Sequence, residues 1–277
     1  MVPRARGNPV SRPLADVVKE VEGLVENGYR EVVLTGANLG CYRHGNAGLV
    51  DLVQAVERIR GLPRIRLSSL ETTTAEHAVV EHMGASPKLC RYLHIPLQSG
   101  SDTILASMGR RYTVDDYYRF VSFALERVPG LGLGTDLIVG FPGENDSNFD
   151  ETVQLVKRIP FSNLHVFTYS KRDRTPAATM RGQVPDKVKK IRAARLAELG
   201  AAKSEAFGDS LVGTRVSVLV EEHDSNGQAA GWTGEYVRAV LPGGRLARND
   251  IVDFVPDAFA DGMLRTDTAA PGPQKVL

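Results

Sequence analysis

Residues 133–144, LGTDLIVGFPGE, decide how the chain is read. Leucine, isoleucine and valine crowd 133–139 into a run shorter than an ordinary helix. Gly140, Pro142 and Gly143 stop it, as expected for a buried β-strand running into a tight loop. The flanks have another period: Asp115–Arg127 upstream and Phe149–Arg158 downstream carry apolar residues at helical spacing. The same alternation extends in both directions. Strands are predicted at 31–35 (EVVLT), 64–68 (RIRLS), 91–95, where Pro96 stops the run, and 163–169. Helices are predicted around 17–25, closed by Asn27-Gly28, at 49–59, and at 74–83, ending at Gly84. Strict alternation implies parallel units joined by right-handed crossovers. Five strands, with a loop and helix ahead of them and no strand before, predict an α/β fold over residues 1–170. It is a partial parallel β/α barrel with its first strand missing, not a closed eightfold barrel.

A second organisation begins near Lys171. Residues 171–195 hold nine Lys/Arg against Asp173 and Asp186, a local net of +7 hidden in a total of +1. The span 171–210 reads as a basic linker and a helix over Pro185–Phe207, with proline at its start. From 211 to 265, short alternating strands and Gly-rich turns predict a small all-β barrel of the oligonucleotide-binding sort. That region is net acidic, with five Lys/Arg against eight Asp/Glu. Residues 266–277 read as a flexible tail. A hydrophobic content of 42% with 24% charged residues excludes wholesale disorder. No apolar run reaches the roughly 20 residues of a membrane span, and MVPRARGNPVSRP lacks the apolar stretch of a signal peptide, so a cytoplasmic protein with no membrane partner is expected. The two cysteines, Cys41 and Cys90, are too scattered for a disulfide framework or a clustered zinc or iron–sulfur motif.

Parallel β/α folds bind ligands at the carboxyl ends of their strands. Five polar or Gly-rich segments fall there: Thr35–Asn38, Ser68–Glu71, His94–Ser101 (HIPLQSGS), Gly140–Glu144 (GFPGE) and Tyr169–Thr175. Singly each is weak. Gly140 and Gly143 also fit plain turns, and a strand-end histidine also fits a structural hydrogen bond. In register around one rim, the five predict a polar pocket with exposed backbone N–H groups, suited to an amino acid or a nucleoside.

The strings LTGANLG (34–40), RIRLSSLE (64–71), SPKLCRYLHIPLQSGSD (86–102), MGRRYT (108–113), TDLIVGFPGE (135–144) and HVFTYSKRDRTPAA (165–178) closely resemble the radical-SAM tRNA methylthiotransferases. Within that family the resemblance is greatest to the branch that thiomethylates threonylcarbamoyladenosine beside the anticodon, and it runs from Val2 to about Val220. It implies a radical-SAM partial barrel followed by a TRAM-like β-barrel. It also implies S-adenosylmethionine and 4Fe–4S clusters as cofactors, and tRNA, at A37 of the anticodon loop, as partner. A reductant protein such as flavodoxin or ferredoxin would serve the full enzyme. The implied reaction converts C2–H of the modified A37 to C2–SCH3, using two S-adenosylmethionine molecules and two clusters. Family members carry three cysteines in an N-terminal domain and a CxxxCxxC loop after the first barrel strand. Neither set is present here. Val2–Gly7 matches the segment just past that loop, so the resemblance implies a chain lacking the cluster ligands and inactive alone.

By the same resemblance, Thr35, Gly36 and Asn38 meet the methionine amino group, and Ser68 and Glu71 lie near its carboxylate or the ribose. His94 and Gln98 face the pocket, Ser99 and Ser101 are available to the ribose, and Ile138 and Gly140 contact adenine. Asp136 either lines the pocket or caps a neighbouring loop, and Glu144 orders the GFPGE turn. No catalytic residue and no metal ligand is assigned. RNA contacts are expected from Arg4, Arg6 and Arg12, from Arg110 and Arg111, and from the 171–195 run, including Lys171, Arg172 and Arg174. That run either tracks phosphates or is a solvated helix face. Lys171 and Arg174 stand where the family more often has proline and glycine. Trp232 and Tyr236 are the stacking candidates. Two rivals remain: a non-catalytic protein binding S-adenosylmethionine or tRNA, and a cluster-free enzyme using His94 and Glu71 as acid and base.

Overall fold

A computed structural model describes residues 10–74, 76–223, 227–241, 246–266 and 274–275. Its first half alternates as the hydrophobic periods require. Strands β1 (Glu31–Leu34), β2 (Arg64–Leu67), β3 (Tyr92–His94), β4 (Gly132–Val139) and β5 (Asn163–Thr168) are separated by helices. These are α1 (Leu14–Glu26), α2 (Leu49–Glu57), α3 (His77–Ala85), α4 (Asp102–Ser107), α5 (Val114–Arg127) and α6 (Asp146–Arg158). All strand pairs are parallel and in chain order, β1 with β2 and then β3 with β4 with β5. Between β2 and β3 the sheet continues through the Ile65–Leu89 bridge, with the Cys90 N–H donating to the Ile65 carbonyl at 2.8 Å. The result is a partial β/α barrel. Helix α4 and the 3-10 turn Leu39–Cys41 are too short to show a helical period, and the sequence reading passes over them.

Alternation along β4 sets up everything that follows. Leu133, Leu137 and Val139 join the core under the helices, and Thr135 donates to the Ile95 carbonyl on that same side. Gly132, Gly134, Asp136 and Ile138 point to the inner face, two residues apart as the pleat dictates. Reciprocal capping boxes, Thr113 with Asp116 and Asn145 with Asn148, start α5 and α6 where their sequences switch period.

After the short α7 (Pro176–Thr179), helix α8 (Asp186–Ser210) does more than link. It packs along β5 and β4, burying Leu196 fully in the barrel core, and the Gly200 Cα faces Leu164 so closely that a Cβ would stand 3.1 Å from it. An all-β domain follows: β6 (Val216–His223), β7 (Ala229–Thr233), β8 (Arg238–Leu241), β9 (Ile251–Phe254), β10 (Ala258–Ala260), β11 (Met263–Arg265) and β12 (Gln274–Lys275). They form one sheet in the order β10-β11-β8-β7-β6-β9-β12 around a separate core that includes Val218, Val220 and Leu264. At Gly231 a Cβ would lie 1.7 Å from the Leu219 carbonyl oxygen, so β6 and β7 close only over glycine. The described pairings leave β10 and β12 at the two ends, a curled sheet and not a ring of closed hydrogen bonds.

This domain is seated at the amino-terminal ends of the barrel strands. A Cβ on Gly132 would meet the Glu235 carbonyl oxygen at 2.3 Å. Arg64 donates to the carbonyls of Ser217 and Trp232, each at 3.0 Å, and Arg66 to those of Thr233 (3.0 Å) and Gly234 (3.3 Å). Both arginines are buried, and Glu31 pairs with both. Burial alone would raise the Glu31 carboxyl, but Arg64 and Arg66 outweigh it and hold it below the ordinary range.

Candidate functional site

The five strand-end segments lie on one rim, tied edge to edge. The Ser68 N–H donates to the Leu34 carbonyl (3.0 Å), Leu70 to His94 (3.0 Å), Gln98 to Asp136 (2.8 Å), Ile138 to Gln98 (2.9 Å) and Tyr169 to Val139 (2.8 Å). Thr35, Gly36 and Ala37 are exposed after β1, and Asn38 is half-buried, its side-chain oxygen accepting from the Thr74 hydroxyl at 2.8 Å. A cavity of about 690 Å³ opens beneath them, between α1 and β1. Ser68 and Ile138 are half-buried on the rim. Gln98 is buried with a left-handed φ of 69°. Glu71 pairs with Arg110 at 3.1 Å, which joins an expected cofactor residue to an expected RNA residue.

Two rim segments are fastened from behind. Ser99 and Ser101 are each 1% exposed; the Ser101 N–H donates to the Ser99 hydroxyl, and Asn148 of α6 donates to the Ser101 hydroxyl. Their hydroxyls therefore stabilise the loop and do not project into the pocket. The loop lies flat on α6 because Gly100 has no Cβ, which would otherwise stand 2.5 Å from the Thr152 Cα. In GFPGE, Gly140 adopts a φ of 72°, and its N–H donates to the Glu144 carboxylate at 2.8 Å. Glu144 is buried and accepts from Arg192 of α8 at 2.7 Å; burial still raises its pKa, outweighing those bonds. The Tyr169 hydroxyl is buried beside Phe141 without a hydrogen-bond partner among the described residues.

His94 and Asp136 sit one layer lower, on the inner face, where β5 contributes His165. Asp136 Oδ1 lies 3.1 Å from His94 Nε2 and 3.2 Å from His165 Nδ1. Burial raises the Asp136 carboxyl, but its hydrogen bond and charge interaction with His94, then His165, bring it below the ordinary value. Both rungs follow from register: Asp136 faces His165 across β4 and β5, and His94 faces Gly134, whose missing side chain lets the imidazole reach forward. These groups line a second cavity of about 540 Å³ that reaches Trp232 and Tyr236 of the β-domain. His165 was missed by the sequence reading because its partner is set by strand register.

Trp232 and Tyr236, expected to stack on RNA, are engaged elsewhere. Trp232 stacks on Tyr236 at 4.6 Å and 17°, and Tyr236 tilts against Tyr92 of β3 at 4.7 Å. The guanidinium of Arg238 lies over Trp232 and that of Arg66 over Tyr236. Their mutual stacking and the two guanidinium groups take up ring faces that RNA bases would need, while Tyr236 keeps 38% of its surface exposed. The basic run is also reduced. Arg192 is buried between Glu144 and Asp146, Arg195 pairs with Asp150 at 2.9 Å, and Lys189 pairs with Asp186 at 3.1 Å. Lys171, Arg172, Arg174, Arg181, Lys187 and Lys190 stay exposed, as does Arg111. Arg4 and Arg6 lie outside the described residues.

Neither cysteine suits a cluster. Cys41 ends the turn after β1 at the rim, whereas Cys90 is buried before β3 at the opposite end, its thiol pushed up to about 11 by burial. The thiolate needed as a ligand is thus disfavoured at Cys90, and the two lie at opposite ends of the strands. The residues present do not fit an iron–sulfur cluster. No helix among the described residues is long and apolar enough to cross a membrane.

Against known proteins, residues 1–156 match the model of the Radical SAM superfamily, more than half of the chain. The chain is 37% identical to the threonylcarbamoyladenosine tRNA methylthiotransferase MtaB of Thermotoga maritima, covering 87% of this chain and 56% of that protein. It is 41% identical to the tRNA-2-methylthio-N(6)-dimethylallyladenosine synthase of Moorella thermoacetica, covering 90% and 58%. The chain thus spans just over half the length of these relatives. Among solved structures, the radical SAM enzyme coproporphyrinogen III oxidase (HemN) of Escherichia coli is similar in fold, with a TM-score of 0.53 at 14% identity over 86% of this chain and 62% of that one.

Proposed function

This chain belongs to the radical SAM superfamily and, within it, to the tRNA methylthiotransferases, and on that basis we propose that it supplies the S-adenosylmethionine- and tRNA-binding surfaces for methylthiotransfer to N6-threonylcarbamoyladenosine at position 37. The observation that carries this reading is the single tied rim formed by all five strand-end segments. The threonylcarbamoyladenosine branch rests on the six sequence strings, and the MtaB relative supports it. The rim suits S-adenosylmethionine: exposed backbone at Thr35–Ala37, Ser68 and Glu71 beside it, an apolar Ile138 and a left-handed Gly140. The orphaned Tyr169 hydroxyl is a donor awaiting an acceptor. When bound, S-adenosylmethionine supplies the methyl group and the deoxyadenosyl fragment; Thr35–Asn38 and Ser68 hold its amino-acid end, and Ile138 and Gly140 flank its base. A 4Fe–4S cluster is not assigned to Cys41 and Cys90, so no step is derived through one. A reductant protein and the cytoplasm belong to the same reading, as partner and location of the tRNA-modifying reaction.

RNA is met by exposed cations, with Arg111 at the rim and Lys171, Arg172, Arg174, Lys187 and Lys190 around α8, and by the half-buried Arg110, which pairs with Glu71. The β-domain, TRAM-like in its position after the barrel, positions the barrel through its aromatic turn. The poor fit of the cysteines favours a second reading, a protein of this family that binds S-adenosylmethionine and tRNA without turning them over. Anaerobic reconstitution with iron and sulfide separates the two. Deoxyadenosine formation from S-adenosylmethionine would support the catalytic reading, and binding without it the other. Loss of both would refute the proposal.

Two predictions follow at these sites. Tyr169→Phe is expected to leave the melting temperature unchanged and weaken S-adenosylmethionine binding about fivefold in equilibrium dialysis, the value of one hydrogen bond of about 1 kcal/mol. Unchanged affinity would remove Tyr169 from the site. Replacing Arg172, Lys187 and Lys190 together by alanine is expected to flatten the slope of log K against log salt for tRNA by about two to three. An unaltered slope would place the RNA on another face.

A further inference from the structure

We propose that His94, Asp136 and His165 form a binding site for a divalent first-row metal ion of the zinc type, on the inner face of the barrel. Three donor atoms converge there, His94 Nε2, Asp136 Oδ1 and His165 Nδ1, all within 4.8 Å of one another. A four-coordinate ion with bonds of roughly 2.0–2.1 Å needs its ligand atoms about 3.4 Å apart. The His94–Asp136 and His165–Asp136 separations, 3.1 and 3.2 Å, already stand near that edge length. Only the two imidazoles, tilted 35° to each other with centroids 5.3 Å apart, need to close slightly.

Each histidine is oriented from its far side, as ligating histidines are. The Tyr92 hydroxyl lies 3.4 Å from His94 Nδ1, which leaves Nε2 directed at the site. The Asn163 amide lies 3.2 Å from His165 Nε2. Turning that amide over presents its oxygen to an Nε2–H and frees Nδ1 as the lone-pair donor. The backbone builds the trio too. Neighbouring parallel strands supply one residue each, and a Cβ on Gly134 would come within 2.8 Å of His94 Nδ1, so glycine there is what admits the ring. Two imidazoles and one carboxylate make a neutral-nitrogen and hard-oxygen set that suits Zn²⁺ and Co²⁺ better than Mg²⁺ or Ca²⁺. The cavity of about 540 Å³ in front leaves a fourth position for water or an incoming ligand. The site needs no cysteine and is independent of the cluster chemistry of the family.

Titration of metal-stripped protein with Co²⁺, followed by its visible d–d absorption, tests the assignment. One tetrahedral Co²⁺ per chain, displaced by Zn²⁺, is expected. His165 is half-exposed, so His165→Ala should fold, as circular dichroism will report, and is expected to lose the bands. Asp136→Asn is expected to do the same. Asn163→Ala, which touches no metal, is expected to weaken binding about tenfold, as loss of an orienting partner does. Absence of the bands in the unaltered protein, or bands of equal strength in His165→Ala, would overturn the proposal.

Discussion

Glu31→Gln is expected to destabilise the protein by about 3–5 kcal/mol, the cost of stripping the counter-charge from buried cations. Arg64 and Arg66 are 6% and 7% exposed in their side chains, and among the described residues Glu31 is the one carboxylate that bonds them. Glutamine keeps the shape and removes the charge, so the loss reads the ion network alone. At roughly 2–4 °C per kcal/mol for a chain of this size, the melting temperature should fall by about 10 °C. Because both arginines also hold carbonyls of the β-domain, the calorimetric transition should broaden as barrel and β-domain uncouple. The pH dependence follows from the lowered carboxyl. The stabilisation is present above the unfolded-state value, about pH 4.3, and is lost as pH falls through the lower folded value. The gap between wild type and Glu31→Gln should therefore be full at pH 7 and close on acidification. A gap under about 1 kcal/mol at pH 7 would show that the carbonyl contacts alone hold the joint.

Arg192→Ala is expected to cost about 3 kcal/mol and to weaken S-adenosylmethionine binding at least tenfold. Its side chain, 6% exposed, is the cation within bonding distance of a Glu144 carboxylate that is 2% exposed, and an unpaired buried charge is the expensive outcome. Glu144 in turn receives the Gly140 N–H, so its loss of position releases the left-handed turn beneath the proposed adenine site. The Glu144 shift is opposite to that of Glu31, but the penalty of losing its cation runs with pH in the same direction. Burial already raises Glu144, and removing Arg192 raises it further. The penalty should be small below about pH 4.3, where folded and unfolded carboxyls are both protonated, and grow as pH rises through the folded value. Arg192→Ala combined with Glu144→Gln should recover part of the stability, a coupling above about 1 kcal/mol. Additive losses would separate the helix from the loop.

The expected strands match the observed ones to within about one residue at most ends. Apolar period and Gly/Pro punctuation are local signals, readable without knowing what lies opposite. EVVLT, RIRLS and LGTDLIV announce β1, β2 and β4 in that way, and their carboxyl ends place the rim loops on one side. The partial barrel and the all-β domain behind it were legible for the same reason. The interior was not. His165 looks like any strand residue until register sets it opposite Asp136. Nothing local marks Gly132 and Gly134 as the openings that admit Glu235 and His94. Arg192, counted as one of nine cations, is a buried partner of Glu144, 48 residues away.

Local patterning thus settles which segments are strands and helices, and which loops share an end, because each depends on neighbours within one or two turns of chain. The use of the inner face is settled by folding: aromatic rings stacked on one another where free stacking rings were expected, a basic run partly neutralised by the acids of α6, and a His-Asp-His trio across three strands. Each depends on which residues meet across a sheet or a helix pair, and the energies that fix those meetings, desolvation and charge pairing, exist only once water has been excluded.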